Sequence, residues 1–158
     1  MLVIAVSSPL IVLVNIGQIG VLPALFGNVT NPPQVAEELA RPNRPQVVRD
    51  FIANKPSWLK VEAPAVIEPI PLLQSGEAAA ISLAIQLKAD LLLIDDLQGR
   101  KAATQRHIRL TGTIGVLELA ADRKFLDLKD AFDRVKVTDF WISHKLLDER
   151  LKLHQRQK

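Results

Sequence analysis

Two adjacent aspartates lie at the end of a predicted strand, a place where a protein can hold a divalent metal ion. Asp95 and Asp96 directly follow an apolar run at residues 91–94 that is typical of a buried strand. Neighbouring carboxylates repel each other unless a positive charge lies close, and Mg²⁺ or Mn²⁺ with oxygen ligands would relieve that repulsion. The alternative is that both are solvated loop acids, or that one caps the helix that follows.

Two glutamates carry the same ambiguity. Glu77 lies in the first turn of a helix that Ser75 is expected to cap, where the helix dipole alone favours a carboxylate. Glu38 lies in a short amphipathic helix whose Val35 and Leu39 face the core, and the spacing does not fix its own face. Each is a candidate metal ligand beside the aspartates and a surface acid otherwise.

The segment after Asp96 is basic. Residues 97–112 contain no acid and include Arg100, Lys101 and Arg106. A phosphodiester-cleaving enzyme needs bases beside an acidic pocket, because acids hold metal at the scissile phosphate and bases hold flanking phosphates. The alternative is an exposed helix face. Aromatic residues make up 4% of the chain, with no tyrosine, so no base-stacking surface is predicted. The three scattered histidines are expected at the surface.

Composition limits the class of protein. The 158 residues fit a single domain covering 1–158, and the absence of cysteine excludes disulfides, thiolate metal sites and a cysteine nucleophile. Residues 144–158 hold five Lys or Arg and two Asp or Glu, against a net charge of +3 for the whole chain. A basic helical tail is therefore expected at about 143–158, either solvated or facing an anionic partner such as RNA.

The first 36 residues carry no charged side chain. A signal peptide would need a basic start and a small-residue cleavage site, and neither is clear. A membrane span would have to include Ser7, Ser8, Pro9, Asn15 and Gln18. A buried strand followed by a buried helix is the better interpretation, so we expect no membrane partner and a cytoplasmic location.

Strands and helices alternate along the chain, which predicts a parallel sheet covered by helices on both faces, a three-layer α/β/α sandwich. In such a sheet, ligands bind beyond the carboxyl ends of the strands. The strands are expected at 2–6, 28–30, 58–61, 90–96 and 108–110. The first helix is expected to be capped by Ser7 or Ser8 and to end at about 15–17. The later helices are expected at 18–25, 33–40, 45–54, 75–87, 98–106, 111–121, 127–135 and 143–155.

Four stretches of the chain resemble the PIN-domain family, and more narrowly its bacterial and archaeal DUF3368 subgroup. They lie in family order across roughly 3–120, and the third is the most specific: SSPLIVL (7–13), LPALFGNVTNPPQVAEEL (22–39), LQSGEAAAISLAIQLKADLLLIDDLQGRKAA (73–103) and LTGTIGVL (110–117). The resemblance implies an α/β/α sandwich with a Mg²⁺- or Mn²⁺-dependent ribonuclease site. It also implies a homodimer and, for many relatives, the toxin role in a VapBC-type pair with an antitoxin protein.

The resemblance also assigns site residues. It makes Glu38, Glu77 and Asp96, with Asp95 beside it, the metal ligands. Ser8 matches the small hydroxyl residue two positions after the family's first aspartate and joins Glu38, Glu77 and Asp96 as a catalytic candidate. Arg100, Lys101 and Arg106 are then the residues that steer RNA.

The chain departs from the family pattern at that first aspartate. Val6 occupies its position, and no other acid lies within 30 residues of Val6. A valine cannot bind a cation, so we expect weaker metal binding and a poorly organised in-line attack. Three functions remain open: a PIN-type ribonuclease, a degenerate PIN domain that binds RNA or a protein without cutting, and a structural partner whose uncharged N-terminal third is buried against another chain.

Overall fold

The computed structural model describes residues 1–157, and in them five strands form one sheet of order β3-β2-β1-β4-β5. All four pairings are parallel; Ile4 of β1, for example, pairs with Thr30 of β2 and Leu92 of β4. The strands are β1 (Val3–Ala5), β2 (Val29–Asn31), β3 (Leu59–Val61), β4 (Leu91–Leu93) and β5 (Leu110–Thr111).

Nine helices in the described residues connect and follow these strands. They are α1 (Ser7–Asn15), α2 (Val21–Phe26), α3 (Pro33–Leu39), α4 (Gln46–Ala53), α5 (Ser75–Leu87), α6 (Leu97–Gln105), α7 (Thr113–Asp122), α8 (Leu128–Lys136) and α9 (His144–Arg156). Each agrees with an expected helix to within a few residues at either end.

Successive side chains of β1 enter different layers of the core. Val3 and Ala5 join the larger cluster, with α1 and α7, and Ile4 joins the smaller one, with α5 and α6. Burial on both faces explains why the apolar run is continuous rather than alternating. The predicted α/β/α architecture with a central parallel sheet is confirmed.

Two expected helix caps are wrong. The N-cap residue of α1 is Val6, which places Ser7 and Ser8 inside the first turn, where their hydroxyls reach carboxylates instead of backbone. The N-cap of α5 is Gln74 rather than Ser75, and Gln74 forms a reciprocal capping box with Glu77. Ser7 and Ser8 do not cap α1 because their hydroxyls bind carboxylates from distant parts of the chain. Gln74 replaces Ser75 as the cap of α5 because it forms a reciprocal pair with Glu77. Local helix propensity does not reveal either kind of partner.

The predicted basic tail forms α9, which Ser143 caps by accepting the amide of Leu146 at 3.2 Å. Leu147 is buried, and Arg150 pairs with Glu118 of α7. His154 was expected at the surface, but α9 buries it 3.5 Å from Asp122, so that expectation is wrong. Lys158, the last residue of the predicted tail, lies outside the described residues. None of the helices described is long and apolar enough to cross a membrane.

Candidate active site

A cleft of about 950 Å³ opens where β1, β4 and β5 end. The residues following β1 and β4 line it, and α3 and α5 contribute one glutamate each. This acidic cleft brings together every carboxylate that the sequence singled out, namely Glu38, Glu77, Asp95 and Asp96. Its position agrees with the rule that ligands bind beyond the carboxyl ends of parallel strands.

Val6 lies between these carboxylates and the core. Its side chain is 3% exposed, packs with the smaller apolar cluster and also lines the cleft. Its backbone amide donates to the carbonyl of Leu93 at 3.0 Å, which continues the β1–β4 pairing by one residue. Val6 therefore contributes an apolar surface to the cleft.

Asp95 connects three elements. Its Oδ2 accepts the Ser8 hydroxyl at 2.9 Å and the Thr113 hydroxyl at 2.7 Å, and its Oδ1 accepts the Thr113 amide at 2.7 Å. These bonds join the end of β4 to the first turns of α1 and α7. Because both oxygens already have donors, Asp95 is held in one orientation.

Asp96 caps the following helix. It is the N-cap residue of α6, and its Oδ2 accepts the amide of Gly99 at 3.1 Å. The adjacent aspartates thus have separate partners, and the helix-cap alternative applies to Asp96. The cap occupies one of the two carboxylate oxygens, and the side chain still lines the cleft.

Glu38 is buried, with 3% of its surface exposed, and its Oε1 accepts the hydroxyl of Ser7 at 2.9 Å. The carboxylate lies directly against Gly76 in the first turn of α5, so closely that a Cβ at that position would overlap Glu38 Oε1. The glycine is therefore required by close approach: it lets α3 and α5 bring their glutamates into the same cleft.

Glu77, like Asp95, is partly buried. Its Oε1 accepts the amide of Gln74 at 3.3 Å, and its Oε2 would lie 2.9 Å from a Cβ placed on Gly99. Burial is the largest influence on the pKa of Glu77 and raises it. The hydrogen bond from the Gln74 amide lowers this pKa by less, and the charges of Asp96 and Glu38 add smaller increases. The carboxylates consequently concentrate negative charge in one place.

The three basic residues predicted to steer RNA do not lie together in the structure. Arg100 lines the cleft, and its Nη1 donates to the carbonyl of Ile94 at 3.1 Å. Lys101 is exposed on α6 and is not a lining residue. Arg106 also lies away from the lining and pairs with Glu68 at 2.8 Å, which lowers the pKa of that glutamate.

Two residues of the cleft lining, Glu118 and Trp141, were not singled out from the sequence, and neither was Thr113, which lies beside the lining residue Asp95. Thr113 is fully buried on Asp95, and Glu118 on α7 binds Arg150 of α9 through two bonds of 2.9 Å. Trp141 lies in the loop between α8 and α9 with 97% of its surface exposed. A hydroxyl residue at a helix start was a usable signal for Thr113. No local pattern indicates that the indole is exposed, because exposure depends on how the α8–α9 loop packs.

The donor set fits a hard divalent cation by its chemistry. Carboxylate oxygens are the ligands that Mg²⁺ and Mn²⁺ prefer, and the concentrated charge around Glu77 favours a cation. The geometry is incomplete, because within residues 1–157 no three His, Cys, Asp or Glu side chains are grouped closely enough to hold a metal ion. To bind one cation jointly, Glu38, Glu77 and Asp96 would have to move closer to one another. The free energy needed for that movement lowers the affinity of the cleft for the cation.

Comparison with known proteins agrees with the fold. The family model DUF3368, described as a PIN domain, matches residues 2–156. Searches of curated proteins and of solved structures each found no match. Since the family model covers nearly the whole chain, the protein belongs to the DUF3368 family of PIN domains.

Proposed function

We propose that this protein is a PIN-domain ribonuclease that hydrolyses RNA phosphodiester bonds with a weakly bound Mg²⁺ or Mn²⁺. PIN domains are generally nucleases. The observation that carries the proposal is the convergence of Glu38, Glu77 and Asp96 on one cleft, where the charges of the other two contribute to the raised pKa of Glu77. A partly buried carboxylate whose pKa is raised beside other carboxylates is a common feature of functional sites, and a cation would relieve the repulsion among these charges.

The roles of the side chains follow from their contacts. Glu38, Glu77 and Asp96 would hold the cation, and Ser7 keeps Glu38 turned toward the cleft. Ser8 and Thr113 fix Asp95, which keeps the end of β4 in place. Arg100 offers its guanidinium to a phosphate beside the scissile one. A bound divalent cation supplies a nucleophilic water and neutralises charge on the phosphate.

Val6 is the reason for proposing a weak site. Val6 contributes an apolar side chain at the place where the PIN-domain pattern has an aspartate. A cation in the cleft would therefore have one charged ligand fewer. We expect cleavage only at millimolar Mn²⁺ and a slow rate. The test is to compare wild type, Val6→Asp and the uncharged, similarly sized Val6→Asn on a labelled single-stranded RNA.

The proposal predicts that Val6→Asp cuts at least ten times faster than wild type, whereas Val6→Asn does not. Asp96→Asn should abolish cleavage in both backgrounds. RNA cleavage that persists in EDTA and in Asp96→Asn would contradict the assignment of this cleft as the active site.

The incomplete geometry favours a second candidate function. With no three acidic side chains grouped for a metal within residues 1–157, the protein is alternatively a degenerate PIN domain that binds RNA or a protein partner without cutting. RNA binding by the wild type with no cleavage at any Mn²⁺ concentration, and cleavage restored by Val6→Asp, would identify this case.

The biological setting that we propose is a toxin–antitoxin pair. In that setting the protein is a VapC-like toxin, acts as a homodimer in the cytoplasm and is held inactive by an antitoxin protein. Support comes from membership of the PIN-domain family and from the resemblance of the sequence to its DUF3368 subgroup. Growth arrest on expression, relieved by a protein encoded beside it and lost in Asp96→Asn, is the expected outcome.

A further inference from the structure

Trp141 lies where two cavities meet. It lines the acidic cleft and also a second cavity of about 250 Å³, the Arg44 cavity, which Arg44 and Asn15 line. The two cavities share six lining residues: Ser7, Ser8, Glu38, Gln74, Phe140 and Trp141. They therefore form one groove that passes over the buried Glu38, with the indole on its rim.

The loop around Trp141 is built to present the indole. Phe140 and Ile142, on either side, are partly buried against the larger apolar cluster. The amide of Phe140 donates to Thr138 Oγ1 at 3.3 Å, and that hydroxyl donates to the carbonyl of Val135 at 2.7 Å. With both flanking side chains packed inward, Trp141 is held outward at 97% exposure.

The charges along the groove match a polynucleotide strand. Arg44 lines the Arg44 cavity, and Arg100 and Arg150 line the acidic cleft. Guanidinium groups therefore occur in both parts of the groove. Arg44 uses only its Nε on the carbonyl of Glu38, at 3.0 Å, while Arg150 is paired with Glu118. A phosphate of a bound strand would therefore meet a guanidinium group in each of the two cavities.

The carboxylates that line the groove make uncharged contacts to the bases necessary. Glu38, Glu77, Asp95 and Asp96 repel phosphate, and Asp139 and Glu118 add to that charge at the walls. Part of the affinity must then come from contacts that carry no charge. An exposed indole offers a flat apolar face on which a nucleobase stacks.

We propose that Trp141 stacks on one unpaired nucleobase of a single-stranded RNA and thereby selects single strands over duplexes. In a duplex the faces of each base are already covered by its neighbours. This inference rests on the proposed function, because it concerns the substrate of the same cleft. A protein partner, or a second copy of this chain, is the competing occupant of the exposed indole.

The two-tryptophan composition of the chain allows a direct optical test. Trp58 packs against Phe51 with ring centroids 6.1 Å apart, so Trp58→Phe leaves Trp141 as the only reporter. Titration of this variant in EDTA with an RNA of roughly eight nucleotides should quench the fluorescence of Trp141. The same RNA annealed into a duplex should produce little quenching.

Binding of the full-length protein to the labelled RNA supplies the second arm. Trp141→Ala should weaken binding about 5- to 100-fold, Trp141→Phe should retain most of the affinity, and Phe125→Ala should change nothing. Phe125 is the matched control because it is aromatic, 46% exposed and not among the lining residues. An oligonucleotide with abasic sites should bind wild type and Trp141→Ala equally.

The outcomes separate the two proposals. If no variant binds RNA, the proposed function fails and the stacking role fails with it. If wild type binds RNA, and Trp141→Ala or a duplex binds equally well, only the stacking role is overturned. A change of oligomeric state in Trp141→Ala, seen by sedimentation with unchanged RNA affinity, would assign the indole to a protein interface and also overturn the proposal.

Discussion

At the residue scale, the site is a set of carboxylates whose oxygens are unequally occupied. Asp95 accepts three hydrogen bonds, Asp96 and Glu77 each accept one backbone amide, and Glu38 accepts one hydroxyl. Asp95 is consequently the acid least able to turn toward a cation. The oxygens left over on the other three are the ones available for a metal ion.

The raised pKa of Glu77 makes stability depend on pH in a definite direction. In the folded protein this carboxyl holds its proton to a higher pH than its ordinary value of 4.5, chiefly because of burial. The folded state therefore binds more protons than the unfolded state in that window, and stability falls as pH rises through it. The effect is modest because the side chain is only partly buried.

Glu77→Gln should accordingly raise the melting temperature in EDTA at pH 7 by roughly 1–3 °C. Glutamine keeps the capping box with Gln74 and loses only the charge. The gain should shrink as the pH is lowered well below 4.5, where the wild-type carboxyl is neutral in both the folded and the unfolded state. Glu37→Gln, on an exposed neighbour of Glu38, should produce no comparable gain. A wild type more stable than Glu77→Gln at pH 7 would contradict this account.

Gly76 provides a second test at the same scale. An alanine there would normally favour a helix, but its Cβ would overlap Glu38 Oε1. Gly76→Ala should therefore destabilise the protein by about 1–3 kcal/mol in urea denaturation and displace Glu38 from the cleft. Gly20→Ala, where nothing lies within 4 Å of the new Cβ, is the matched control and should be close to neutral. Equal stabilities for the two variants would show that Glu38 does not occupy this position.

At the scale of elements, α9 forms one wall of the cleft with few anchors. Leu147 is its fully buried apolar contact, and the pairs Arg150–Glu118 and Lys136–Asp148 are partly exposed. Exposed ion pairs add at most about 1 kcal/mol each, so the leucine dominates the docking of the helix.

Leu147→Ala should cost about 2–5 kcal/mol and increase amide hydrogen exchange along α9 before the sheet unfolds. Leu153→Ala, on the same helix but 45% exposed, should cost less than about 0.5 kcal/mol. Exchange protection of α9 that is unchanged by Leu147→Ala would mean that the ion pairs hold the helix.

At the scale of the whole molecule, the strands, the helices and the layer order were predictable because apolar runs and turn residues mark them locally. The convergence of Glu38 and Glu77 was not visible in the spacing. It depends on α3 and α5 meeting at Gly76, a contact between distant parts of the chain. The hydroxyls of Ser7 and Ser8 were misassigned for the same reason, since their partners lie 31 and 87 residues away. Trp141 was missed because exposure is a property of the packed loop.

The central claim is that the cleft is a cation site one ligand short at Val6. The most direct measurement is the dissociation constant of Mn²⁺ for wild type, Val6→Asp and Val6→Asn by titration calorimetry without RNA. We predict weak binding by wild type and Val6→Asn, and binding at least ten times tighter by Val6→Asp, lost again when Asp96→Asn is added. Equal Mn²⁺ affinity for wild type and Val6→Asp would contradict the claim.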